Sequence, residues 1–96
     1  MAGNNIHNKM PDFKYMNNLI QLNLDGNNLW SEDLENLKAL KNNSNLIINL
    51  SNNSIIDATA LLELNPNTKV NLTGNVNLSQ DSKEKLKAKF GNNVTF

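Results

Sequence analysis

Catalytic chemistry has little material in this 96-residue chain. It holds one histidine, His7, and no cysteine, so neither a thiol nucleophile nor a ligand-spaced cluster of imidazoles and carboxylates can be assembled. Glu32 and Asp33 are adjacent acids, but they fall at a helix start, where the positive end of the dipole accounts for them better than acid–base catalysis. No glycine-rich phosphate loop occurs. No catalytic residue, cofactor or metal ligand is expected. What the chain does carry is amide chemistry. Asparagine occupies 22 positions, and each of its side chains offers a carbonyl acceptor and an NH2 donor. Asn23, Asn49 and Asn71 recur between apolar residues, as Leu22-Asn23-Leu24, Ile48-Asn49-Leu50 and Val70-Asn71-Leu72. Asn27, Asn53 and Asn75 form a second matched set.

The elements that must position these amides follow from internal copies. Leu22–Leu29 returns as Ile48–Ile55 position for position, and again as Val70–Asn75 with Leu78 one residue late. Gly3-Asn4-Asn5-Ile6 copies its second half, and Val94-Thr95-Phe96 its first. Asn4, Asn27, Asn53 and Asn75 are 23, 26 and 22 residues apart. A period of about two dozen residues with the pattern apolar-x-apolar-x-x-Asn-x-apolar marks a stack of coils in which each buries its apolar edge against the next. The apolar-x-apolar portion reads as a short parallel strand, with Leu22 and Leu24 inward and Asn23 outward. In the turn that follows, Asn27, Asn53 and Asn75 are expected to bond unpaired backbone groups and form a buried structural ladder.

One domain spans 1–96: a partial first unit at 1–18, units at about 19–45, 46–67 and 68–91, and a final strand at 94–96. Met10–Met16 predicts a short helix with Pro11 in its first turn, Asp12 near the positive pole, and Phe13 and Met16 inward. Ser31 is the expected N-cap of a helix through Leu40, with Leu34, Leu37 and Leu40 on the core. Asp57–Leu64 gives two turns that stop before Asn65-Pro66. Ser79 caps the most helical segment, which carries Asp81 early, Lys85, Lys87 and Lys89 late, Leu86 and Phe90 inward, and Gly91 at its end.

The residues Leu19–Leu29, 46–55 and Val70–Ser79 resemble bacterial leucine-rich-repeat proteins of the internalin-like or clostridial surface type. That resemblance implies an α/β solenoid of about three to four units, with a short parallel sheet on the concave face and helices on the convex face. It also implies recognition of another protein through the concave face. The outward rows there are Gln21, Asn23 and Asp25, then Ile47, Asn49 and Ser51, then Lys69, Asn71 and Thr73, with Thr95 last. Ile47 supplies an apolar spot, and Trp30 at the edge reads either as packing or as an interfacial anchor.

Nine lysines, no arginine and nine acids give a net charge of zero. No electrostatic field therefore draws in nucleic acid or anionic lipid. The lysines near 85–89 are interleaved with acids and lack aromatic company, as a solvated helix face does. No apolar run reaches membrane length, and Met1–Asn5 is no signal peptide; the location is left open between cytoplasmic, for the chain as it stands, and cell-surface or secreted, for an excised fragment. Six Asn-x-Ser/Thr triplets arise by accident in so asparagine-rich a chain. A module of this kind serves protein recognition, or acts as a small phage- or bacterium-encoded inhibitor occluding an enzyme, or is a structural segment. Uncapped ends predict homodimers or end-to-end association unless residues 1–18 and the last helix fold over them.

Overall fold

The computed structural model describes residues 2–96 as an α/β domain built on one parallel sheet of four strands. Strands β1 (Gln21–Asn23), β2 (Ile47–Asn49), β3 (Lys69–Asn71) and β4 (Val94–Thr95) lie side by side in chain order. The register aligns Leu22, Ile48, Val70 and Val94 in one row, and Asn23, Asn49, Asn71 and Thr95 in another. Alternation along each strand sends the first row into the core, where all four residues are buried, and the second to the outer face.

Strands β1 to β3 are short because each runs straight into a turn with a left-handed residue. Gly26, Asn52 and Gly74 hold φ of 68°, 57° and 81°, a region that glycine and asparagine enter at least cost. At Gly74 space is short as well, since an added Cβ would sit 2.2 Å from Asn52 Oδ1.

Helical crossovers return the chain beneath the sheet. Ser31–Leu40 and Thr59–Glu63 are wound as 3-10 helices, and only the third crossover, α1 (Gln80–Phe90), is an α-helix. The leucine spacing explains the first. Leu34, Leu37 and Leu40 are three apart and fully buried; three residues per turn stack them on one line, where an α-helix would rotate each step by about 60°. Asp57 starts the second, its Oδ1 accepting from the Thr59 N–H at 2.8 Å. In α1 the Ser79 hydroxyl accepts from the Ser82 N–H, Gly91 ends the helix at φ 57°, and Leu86 and Phe90 are buried.

Two local expectations are corrected. Met10–Met16 forms no helix: the chain turns at Lys14–Tyr15, because Asp12 Oδ1 takes the Lys14 N–H at 3.0 Å and so closes a turn instead of opening a helix. Phe13 is buried at 1 % exposure, while Met16 stays 41 % exposed. Nor does Ser31 cap its helix. That position is Trp30, whose N–H is taken by Asp33 Oδ2 reaching back at 2.8 Å, while Ser31 Oγ accepts the N–H groups of Ile56 and Asp57 from the next crossover.

Residues 3–19 lie against the first crossover and the β1 turn. The Gly3 N–H bonds the Asp25 carbonyl, the Asn8 N–H bonds Asp33, and the buried Asn43 donates to the carbonyls of Met16 and Leu19. Among the described residues no helix is long and apolar enough to cross a membrane.

Candidate functional site

The outer face of the sheet holds an open depression of about 650 Å³ floored by two of the three expected side-chain rows. Gln21, Ile47 and Lys69 are aligned across β1 to β3, and Asn23, Asn49 and Asn71 run parallel to them with Thr95 at the end. Ile47 is the apolar member, 42 % exposed. Asn92 and Asn93, just before β4, close one side. Sequence position offered no sign of these two, since they precede a strand instead of lying within it.

The third row lies beyond the strand ends. Thr73 is exposed and Asp25 half-buried, but Ser51, expected on the binding face, is a correction: it is only 7 % exposed. Its hydroxyl turns inward to Asn49 Oδ1 at 2.6 Å and Asp25 Oδ1 at 2.8 Å. Asn52 Nδ2 also bonds Asp25 Oδ1, at 2.9 Å. These bonds, Asn52 first and Ser51 next, hold the Asp25 carboxyl below the ordinary carboxylate range.

Behind the face, the second set of asparagines ties neighbouring turns together. Asn27 is fully buried, and Asn53 and Asn75 nearly so. Asn53 Oδ1 accepts the N–H groups of Asn27 and Leu29, and its Nδ2 donates to the carbonyls of Leu24, Leu50 and Ser51. Asn75 accepts from Ile55 and donates to Leu50 and Leu72. Asn27 accepts from Asn4 and donates to Asp25. Each amide thus serves its own turn and a neighbouring one, which fixes the spacing of the strands and hence of the outer rows.

Trp30 stands at the edge, 49 % exposed, with its ring stacked on His7 at 4.1 Å between centroids. His7 Nδ1 lies 2.6 Å from Asp33 Oδ2, and Asn8 Nδ2 lies 3.1 Å from its other nitrogen. This group was not foreseen as a unit. His7 and Trp30 are 23 residues apart, the same offset as Asn4 and Asn27, so the copies themselves carried the signal. Burial raises the Asp33 pKa, but the bonds from His7 and from the N–H groups of Trp30 and Asn8 outweigh it, and the net shift is downward. A depressed folded-state pKa contributes stability that is complete above the unfolded value of about 3.9 and is lost as pH falls through the folded value. Asp33→Asn should therefore unfold at lower urea near pH 7 and should lose less on going to pH 3, its remaining slope coming from Asp25 and Asp57, whose pKa values are also lowered. Parallel urea curves for the two proteins at pH 7 and pH 3, separated by the same gap, would refute this role.

Among the described residues no group of three His, Cys, Asp or Glu side chains is placed to hold a metal ion. Comparisons with protein-family models, with curated proteins and with solved structures returned no significant match.

Proposed function

We infer that the chain is a leucine-rich-repeat solenoid, a non-enzymatic module that recognises another protein through the outer, concave face of its sheet. The observation that carries this reading is the register, which sets Gln21, Ile47 and Lys69 beside Asn23, Asn49 and Asn71 around one open depression. An exposed isoleucine ringed by amides and a lysine is the arrangement of an apolar anchor with a polar rim, as protein interfaces have. The matched turns at Gly26, Asn52 and Gly74 support the repeat assignment, because equivalent residues take equivalent backbone conformations. Binding is favoured over catalysis because, among the described residues, the His7 ring is held by Asp33 and Asn8 with no nucleophilic hydroxyl bonded to it.

A photo-crosslinking side chain at position 47 tests the reading in the source cell. It should yield a discrete adduct with one protein, and the same side chain at Lys87 on the opposite side should not. Identical adduct patterns from the two positions would refute recognition through this face.

A further inference from the structure

The amide row on the outer face is polarised. Asn23 Oδ1 accepts the Asp25 N–H at 3.1 Å, Asn49 Oδ1 the Ser51 N–H at 2.9 Å, and Asn71 Oδ1 the Thr73 N–H at 3.0 Å. At Asn71 a hydroxyl fills more of the acceptor capacity, Thr73 Oγ1 donating to its Oδ1 at 2.6 Å. Because a backbone N–H can only donate, the atom facing it must be the oxygen, and the orientation of all three amides is chemically fixed. Their NH2 groups have no protein acceptor among the described residues and are not buried. The acceptors are therefore spent inward and the donors left outward. One cation stands in the adjoining row: Lys69 is exposed and forms no ion pair among the described residues.

We propose that this row is a receptor for carboxylates, and that the partner presents an extended acidic segment whose side-chain oxygens sit between neighbouring asparagine NH2 groups beside Lys69. The proposal rests on the binding reading above and names the class of partner for the same face. Spacing fits it. Adjacent strands are about 4.8 Å apart, so one oxygen placed between two amide nitrogens meets both at hydrogen-bond distance, about 2.9 Å. Three amides give two such seats. The seat between Asn49 and Asn71 is favoured, because Lys69 is on β3 whereas Asp25 follows β1, roughly 10 Å away across two strand spacings. A basic segment meets the opposite situation, with outward donors and an unpaired lysine. Phosphate ligands suit the face less, since the chain has no arginine for bidentate contact.

The test uses the whole 15N-labelled chain and three probes, octaglutamate, octaglutamine and octalysine, at one ionic strength. Octaglutamate should shift the side-chain NH2 signals of Asn49 and Asn71 saturably and more than those of Asn23, and octalysine should not shift them. Asn71→Asp keeps the oxygen that closes its turn but replaces the donor by a second acceptor; it should weaken octaglutamate binding by about tenfold or more. Asn71→Ser keeps a turn acceptor without adding charge and should weaken binding severalfold, which preserves the test if the aspartate variant folds poorly. Raising salt should weaken binding through Lys69. Wild-type affinity in both variants, an equal response to octalysine, or shifts reproduced by sodium chloride alone would overturn the proposal. A discrete adduct at position 47 alongside any of those results would leave the face reading standing and reject only the acidic partner. Loss of the adduct as well would reject both.

Discussion

Asn53→Leu should remove a large share of the folding stability, about 4 kcal/mol or more out of the roughly 5–14 expected for a domain of this length. Leucine approximates the shape of asparagine but makes none of its bonds. The N–H groups of Asn27 and Leu29 would lose the Asn53 Oδ1 that both use, and the Leu24 carbonyl would lose its Nδ2 partner. The other two carbonyls fare better. Ser51 keeps the Gly26 N–H, and Leu50 keeps Asn75 Nδ2. Three orphaned buried groups at about 1–3 kcal/mol each set the magnitude. The same accounting ranks the ladder. Asn75→Leu orphans the Ile55 N–H but leaves the Leu72 carbonyl its backbone bond from Asn75, and Asn27→Leu orphans only the partly buried Asn4 N–H. Urea unfolding of the three variants should give losses in the order Asn53, Asn75, Asn27. A loss under about 1 kcal/mol at Asn53, or a reversed order, would show that the ladder is not what holds the turns together.

The parts of the fold legible beforehand are those in which one side chain decides one environment. Leu22, Ile48 and Val70 alternate with Asn23, Asn49 and Asn71, and alternation alone assigns the faces of a short strand; the structure places parallel strands at these positions. What escaped depends on choices among near-equal local conformations. Leu34, Leu37 and Leu40 carried the signal for a 3-10 helix in their spacing of three, but capping residues and acid placement serve both helix types alike. Asp12 was read for the charge it would bring to a helix start, and its carboxylate instead closes a turn, because a seven-residue segment makes too few helical bonds to offset nucleation. Ser51 was placed outward by strand alternation, yet it lies past the end of β2, where alternation no longer applies and Asp25 and Asn49 draw its hydroxyl in. The polarity of the outer amides was likewise hidden. Sequence shows which residues are asparagine, but only the turn geometry shows which end of each amide is already used.

Phe13→Ala should cost about 3–5 kcal/mol and should loosen residues 3–19 before the rest of the domain. This segment has neither helix nor strand, and Phe13 is its one fully buried large side chain. Ile6, Met10 and Leu19 pack against the same core only in part. Its other attachments are hydrogen bonds: Gly3 to Asp25, Asn4 to Asn27, Asn8 to Asp33, and Asn36 and Asn43 to the carbonyls of Met10, Met16 and Leu19. Bonds of that kind contribute about 1 kcal/mol each and are replaced by water once the segment lifts. The aromatic ring therefore sets whether the segment stays down. Removing it also opens the buried apolar cluster to which it belongs, and so couples the loss to the core. Hydrogen exchange should show the amides of Asn4 and Asn8 losing protection in Phe13→Ala at urea concentrations where those of β2 and β3 keep theirs. Phe13→Leu, which restores most of the buried apolar volume, should recover the greater part of the stability. Simultaneous loss of protection in the segment and in β2 would mean that residues 3–19 and the sheet form a single cooperative unit. A Phe13→Ala protein as stable as wild type would remove this side chain from the core altogether.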